Sequence, residues 1–154
     1  MQFDQIIETV QFENAGEGFI DITTTINNWV KKKGAWKGLL NITSLHTSSS
    51  LTINENADPR VLEDLLNYIN AIVPKNGFKS LNGSTELTKY KHQEEGDDDM
   101  PAHIKTALTT TCLNLTINES KIVLGTWQGI YLWEHRKGHQ QRKINLHFIG
   151  EFCN

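Results

Sequence analysis

Two histidines flank an acidic segment in the second half of the chain. His92 and His103 lie on either side of a stretch in which five of the chain's 18 acidic residues fall within six positions: Glu94, Glu95, Asp97, Asp98 and Asp99. Imidazole and carboxylate groups together are a usual ligand set for zinc and other divalent ions. The spacing matches neither a zinc finger nor an HExxH helix, so a solvated acidic loop is the alternative interpretation.

Two of the histidines have informative local contexts. His103 follows Pro101 by two residues, which places it in the first turn of a predicted helix. There a neutral imidazole can face a ligand at the positive end of the helix, although a surface position is the simpler interpretation. His46 ends an apolar segment that has the character of a buried strand.

A glycine- and tryptophan-containing segment runs from Leu124 to Trp133. Glycines inside a strand weaken packing, and they usually mark a bulge or the close approach of a ligand or another backbone. At strand spacing Trp127, Gly129, Tyr131 and Trp133 share one face, and we expect at least one of the two tryptophans in the core.

Polar residues follow this segment directly. Glu134, His135 and Arg136 form a compact group at the predicted strand end, and Arg142 follows six residues later. The two guanidinium groups can hold a phosphate through paired hydrogen bonds, and ordinary surface charge is the alternative. Near residue 55, Asp58 is a predicted helix N-cap, whereas Glu55 is a spare carboxylate that can act as a base or a metal ligand.

The elements that must position these residues alternate between strands and helices. Strands are predicted at 5–12, 38–45, 48–53, 111–117, 122–133 and 142–149, with helices from 22 to Gly34, from Pro59 to Pro74 and from Pro101 to 108. The segment 77–89 is rich in turn residues and is predicted to be an exposed loop. This order predicts one α+β domain over residues 1–154, with a mostly antiparallel sheet and two to three helices.

Composition narrows the classes of function and location. With 15 basic and 18 acidic residues the formal net charge is −3, which disfavours general nucleic-acid binding. No apolar run approaches the roughly 20 residues that cross a bilayer, and the N-terminal segment does not have the features of a signal peptide. The two cysteines are isolated in sequence, so we expect a cytoplasmic protein in a reducing compartment, without a membrane partner.

Several motifs in fixed order resemble the YjbQ family of small bacterial and archaeal proteins, over roughly residues 5–151. The matching segments are HTS at 46–48, LTINENADP at 51–59, His92 with Glu95-Gly96, DDMPAHIK at 98–105, LGTWQGIYL at 124–132, EHR at 134–136, Arg142 and Gly150-Glu151. The resemblance implies a compact α+β fold that assembles as a homotrimer, with polar pockets between subunits.

The resemblance also implies an activity, because members of the family are described as secondary thiamine-phosphate synthases. That reaction joins a pyrimidine-methyl pyrophosphate to a thiazole phosphate and releases pyrophosphate. On this basis Arg136, Arg142 and a divalent ion such as zinc or magnesium are expected to neutralise the pyrophosphate. His46, His92 and His103 are the expected metal or anion ligands.

The remaining candidate residues would contact the organic parts of the substrates. Trp127 would stack on the pyrimidine, and Gln128 lies in the same motif. Glu55 or Glu134 would orient or deprotonate the thiazole partner. The chain departs from the family pattern in a longer 77–89 loop and in a 109–118 segment that lacks the expected glycine and proline.

Two classes of function follow from these residues. The first is an enzyme that acts on a small phosphorylated substrate, as a thiamine-phosphate synthase or on another compound of that kind. The second is a non-catalytic homotrimer in which the same histidines and carboxylates hold an ion or a small ligand. A closed four-coordinate site would favour the second class, and an open coordination position would favour the first.

Overall fold

A computed structural model describes residues 2–153 of the chain. Its main elements are β1 (Gln2–Asn14), β2 (Gly18–Asp21), α1 (Thr23–Lys32), β3 (Ala35–Ser44), β4 (Ser49–Glu55), α2 (Pro59–Ile72), β5 (Phe78–Lys79), β6 (Leu87–Thr88), α3 (Asp99–Leu108), β7 (Cys112–Asn118), β8 (Lys121–Ile122), β9 (Gln128–Glu134) and β10 (Gln140–Phe152). The predicted α+β class with an antiparallel sheet is confirmed.

The strands form two antiparallel sheets and one short hairpin. The larger sheet has the order β1-β10-β3-β7-β8, the smaller one has the order β2-β9-β4, and β5 pairs with β6. The main core lies between the two sheets and includes α1, with buried side chains such as Ile26, Leu40, Leu132 and Phe148. Helices α2 and α3 cover the other face of the smaller sheet, where Ile69, Ile104 and Trp133 pack together.

Strand β9 is buried on both faces because the main core covers one face of the smaller sheet and helices α2 and α3 cover the other. Ile130 and Leu132 point into the main core, whereas Trp133 belongs to the second core with α2. Alternation along a strand therefore sends Glu134 to the side of the larger sheet and His135 to the side of the helices. The polar group at the end of β9 is divided between the two sides.

Helices α1 and α2 agree with their sequence signals. Asp58 caps α2 by accepting a hydrogen bond from the Arg60 backbone N–H at 3.0 Å, and Pro59 is the first helical residue. Helix α1 ends just before Gly34, which has a positive φ of 68° as expected for a residue that follows a helix C-cap. Helix α3 begins at Asp99, two residues before the predicted start at Pro101.

The strand predicted over 122–133 is wrong in its first half. Strand β8 ends at Ile122 and β9 begins only at Gln128. Between them a turn forms in which Gln128 N–H donates to the Gly125 carbonyl at 3.0 Å and its side-chain oxygen accepts from Gly125 N–H at 2.7 Å. Trp127 therefore leaves the face it was predicted to share with Trp133, and its side chain is 64% exposed.

Two further strand predictions differ from the structure. The segments 38–45 and 48–53 are predicted as strands of one sheet, but β3 lies in the larger sheet and β4 lies in the smaller one, where it pairs with β9. The four-residue strand β2 was not predicted, since it is too short to show a periodic pattern. The exposed 77–89 loop contains the β5–β6 hairpin.

Across residues 2–153 the structure has no helix with the length and apolar character needed to cross a membrane.

Candidate functional site

The start of helix α3 brings His92, Asp99 and His103 together. Asp99 and His103 are four residues apart on α3 and therefore share one face of the helix. His92 reaches the same place from the preceding loop, with its Nε2 2.6 Å from Asp99 Oδ2. One ligand atom from each residue lies within 4.8 Å of the others, a spacing that could hold a metal ion.

The His103 ring has one nitrogen free to face Asp99. Its Nδ1 lies 2.8 Å from the Thr47 carbonyl oxygen, which can only accept, so Nδ1 carries the proton. In its neutral form the ring turns a lone pair on Nε2 towards Asp99 Oδ1, 3.4 Å away. Two acceptors that face each other need a proton or a cation between them. A backbone bond that fixes the tautomer in this way is typical of histidine ligands to metals.

The Asp99 carboxylate is held by Arg136. Only 2% of the Asp99 side chain is exposed, and Arg136 Nη1 donates to its Oδ1 at 2.6 Å. The same guanidinium donates through Nε to Asp98 at 3.1 Å and through Nη2 to the Glu95 carbonyl at 2.9 Å. Burial alone would raise the pKa of Asp98, but hydrogen bonds from the Lys137 backbone and from Arg136 lower it. Arg136 thus keeps the acidic loop folded around the cluster.

Arg142 and Glu134 form a second, buried ion pair between the two sheets. Arg142 on β10 donates from Nε to Glu134 Oε2 at 2.6 Å and from Nη2 to Ser48 Oγ at 2.9 Å. The Glu134 carboxylate also accepts from Asn14 Nδ2 and from the Arg136 backbone N–H, both at 2.9 Å. Neither side chain is more than 4% exposed. Binding a pyrophosphate would require Arg142 to leave these partners.

His46 lies outside the cluster of His92, Asp99 and His103. Its Nε2 accepts a hydrogen bond from the Lys143 backbone N–H at 2.8 Å. Burial, followed by the nearby Arg142 charge, lowers the pKa of His46, which favours the neutral ring. His46 and His103 line a depression of about 540 Å³ together with Thr47, Thr106, Thr109 and Thr111. His46 is therefore placed to contact a ligand beside the cluster.

The remaining candidates occupy the opposite end of the smaller sheet. Glu55 pairs with Gln128 at one end of the β4–β9 ladder, and Ser49 pairs with Glu134 at the other. Seven residues of strand span about 20 Å. Glu55 accepts from the Asp58 backbone N–H at 3.2 Å, and the exposed Trp127 precedes Gln128. Within one chain these three residues do not approach the histidines.

The sequence interpretation named two buried polar residues, Asp99 and His135, but selected neither of them as a site residue. Asp99 was placed in an acidic loop because the helix was predicted to begin at Pro101; an earlier start would have shown its i, i+4 relation to His103. On the other side of β9, His135 is buried and its Nε2 lies 2.9 Å from Ser50 Oγ. Burial, with smaller effects of Lys105 and Arg142, lowers the pKa of His135 to about 3.

Comparisons with known proteins agree with the motif resemblance. Residues 8–151 match the family model for UPF0047 protein YjbQ-like. The chain is 40% identical over 149 residues to UPF0047 protein sll1880 of Synechocystis, which covers 97% of this chain and 95% of the relative. It is 43% identical over 114 residues to UPF0047 protein YjbQ of Escherichia coli O157:H7, covering 74% of this chain and 75% of that protein.

A solved structure shares the same fold. It is that of a YjbQ/UPF0047 family protein of Clostridium acetobutylicum, which has a TM-score of 0.74 and 33% identity and covers 94% of this chain and 99% of its own. Membership of this family does not establish an activity, so the thiamine-phosphate synthase reaction stays a proposal. On its sequence and its fold, the chain belongs to the YjbQ (UPF0047) family.

Proposed function

We propose that this protein is a divalent-metal-dependent enzyme that acts on a small phosphorylated substrate. The observation that supports this is the cluster of His92, Asp99 and His103, whose ligand atoms lie within 4.8 Å of one another. Two imidazoles and one carboxylate form a ligand set used by catalytic zinc. Three protein ligands leave a coordination position open for water or substrate, which favours catalysis over a closed structural site.

Each protein group then has a defined task. A divalent ion held by His92, Asp99 and His103 would supply a Lewis acid for a phosphate oxygen. Thr47 fixes the His103 tautomer through its carbonyl oxygen, and Arg136 orients Asp99. Arg136 is therefore a positioning residue in this proposal. The His46 ring lines the neighbouring depression.

The thiamine-phosphate synthase reaction is the first specific reaction to test. It loses a pyrophosphate, and a divalent ion is suited to stabilise the charge on that leaving group. The experiment measures pyrophosphate release from the pyrimidine-methyl pyrophosphate and the thiazole phosphate, with metal-depleted protein and with zinc, magnesium or manganese added back. We expect turnover only with an ion and a loss of about 100-fold or more in Asp99→Asn, since metal ions contribute several kcal/mol.

Asp4→Asn is the matched control, because Asp4 is an exposed carboxylate on β1. Turnover that survives both metal depletion and Asp99→Asn would refute the metal-dependent enzyme. An ion that is bound without turnover on phosphorylated compounds would favour the non-catalytic ion-binding homotrimer.

We also propose that the active site is completed by a second subunit of a homotrimer. The supporting observation is that Glu55, Trp127 and Gln128 lie about 20 Å from Glu134 along the β4–β9 ladder. Residues from different copies can meet at a symmetric interface. The test mixes inactive His103→Ala and Trp127→Ala subunits after mild dissociation. Recovered turnover in the mixture would support a shared site, and none would indicate that each chain works alone.

A further inference from the structure

A cleft opens beside His92 on the surface of the protein. It has a volume of about 390 Å³ and is bounded by the segment after α2, by the end of the β5–β6 hairpin and by the acidic loop. Lys75 lies on the first of these walls and Lys89 on the second, while His92 and Asp97 belong to the third. His92 is thus shared between this cleft and the cluster with Asp99 and His103.

The two lysine-bearing walls are fixed to each other. The Tyr90 hydroxyl donates to the Pro74 carbonyl at 2.7 Å, and each of these residues neighbours one of the lysines in sequence. Gly77 has a φ of 116° and packs so closely on the Thr88 carbonyl oxygen that a Cβ would collide with it. These two contacts hold together the backbones that carry Lys75 and Lys89, and both lysines line the cleft.

The two lysines of the cleft are not tied up in ion pairs, although the Asp97 carboxylate lines the same cleft. Across residues 2–153 neither Lys75 nor Lys89 forms an ion pair within 4.0 Å. Lys75 instead lies next to Lys137, and that neighbouring ammonium, followed by burial, lowers the pKa of Lys75 against the opposing effect of the Glu17 and Asp97 carboxylates. Two adjacent cations repel each other, and an anion bound beside Lys75 relieves the repulsion.

We propose that this cleft binds the phosphate or pyrophosphate group of the substrate, with Lys75 and Lys89 as its charged contacts and His92 at the boundary with the metal cluster. Lysine acts as a point charge for phosphate, and a divalent ion next to it would share the neutralisation. The location of the substrate's anionic group rests on the proposed function. The affinity of the lysines for a phosphate does not require the ion.

Asp97 provides a second test, in which the affinity for an anion should change in the opposite direction. Its carboxylate lines the same cleft and would repel a phosphate. Removing that charge with Asp97→Asn should tighten anion binding, whereas removing the lysine charges should weaken it. A surface that attracts anions only through overall charge has no reason to respond to this one carboxylate more than to an exposed carboxylate elsewhere, such as Asp4.

The experiment titrates inorganic pyrophosphate into metal-depleted full-length protein by calorimetry. We expect Lys75→Gln/Lys89→Gln to weaken binding about tenfold or more, since hydrogen bonds to charged groups contribute at that level. Asp97→Asn should tighten it. The control Lys37→Gln/Lys121→Gln removes the same charge from two exposed lysines on β3 and β8 and should leave the affinity unchanged. The variant Lys75→Arg/Lys89→Arg keeps the charge and should retain binding.

Equal affinity in the glutamine double variant and the natural protein would overturn the proposal. An equal loss of pyrophosphate affinity in the Lys37/Lys121 control would also overturn it, because binding would then follow net charge alone. The proposed function fails separately, through the metal content of the protein. Lysine-dependent pyrophosphate binding without any bound ion would leave the cleft assignment standing and remove the metal-dependent enzyme.

Discussion

Glu134 and Arg142 form a buried ion pair, so a single substitution in the pair should lower the free energy of unfolding strongly. Glu134→Gln keeps the shape of the side chain but leaves the Arg142 guanidinium buried without its counter-charge. Breaking a buried pair in this way costs about 3–5 kcal/mol. Urea unfolding should show that loss, whereas the exposed Glu13→Gln should change stability by no more than about 0.5 kcal/mol. A small effect of Glu134→Gln would mean that the pair does not hold the two sheets together.

His135 predicts how stability responds to acid. Its pKa is about 3 in the folded state because the ring is buried, against an ordinary value of 6.5. Below pH 6.5 His135 therefore binds a proton in the unfolded chain but not in the folded protein. Stability from this residue is complete above pH 6.5 and falls by about 1.4 kcal/mol per pH unit as the pH drops towards 3.

The comparison with His135→Gln isolates this effect, since glutamine can still meet Ser50 but does not titrate. Between pH 6.5 and 4.5 we expect the natural protein to lose about 2–3 kcal/mol more than the variant. Unfolding curves at several pH values give both slopes. Parallel slopes would show that His135 is not held neutral in the folded protein.

Residue types identified part of the candidate site, and tertiary structure decided the rest. His92 and His103 were selected because they flank an acidic segment, and both belong to the cluster. The choice of Asp99 over its four acidic neighbours depends on the start of α3 and on Arg136, which comes from a distant strand end. His46 was grouped with the other two histidines through the family resemblance, and the structure places it beside them and outside the cluster.

At the scale of the elements, the close approach of the paired strands β3 and β10 can be tested by a substitution. Gly38 lies opposite Gly150 in this ladder, and a Cβ on Gly38 would collide with the Ile149 carbonyl oxygen. Gly38→Ala should therefore destabilise the protein by about 1–3 kcal/mol in urea unfolding, as forced overpacking does. The control is Gly138→Ala, where the nearest atom to an added Cβ is 3.8 Å away. Equal stability of the two variants would contradict the close approach of β3 and β10 at this position.

The helices were predictable from local signals, and one strand boundary was not. Helix α2 has its cap, its proline and its apolar face within one short segment, so nothing distant is needed to define it. The break before β9 depends on the Gln128 side chain bonding to Gly125, inside a segment whose apolar residues favour a continuous strand. Assignment of β4 to the smaller sheet likewise depends on pairing with β9, which the sequence of β4 does not encode.

On the scale of the whole molecule, the two sheets and the α3 helix place the cluster of His92, Asp99 and His103 between two surfaces of different character. The threonine-rich depression with His46 adjoins His103, and the lysine-bearing cleft adjoins His92. A substrate with a neutral polar part and a phosphate would match both surfaces. The proposed catalysis, unlike the two surfaces, depends on an ion at the cluster, and this is the central claim.

The most direct test is the zinc stoichiometry of purified, tag-free protein after incubation with excess zinc and removal of unbound ions. We expect about one ion per chain, as three protein ligands predict, and a loss of that ion in both Asp99→Asn and His103→Ala. His147→Ala is the control, since His147 lies on β10 and contacts Gln5, away from α3. No bound ion in the natural protein, or an ion that remains in both cluster variants, would contradict the account.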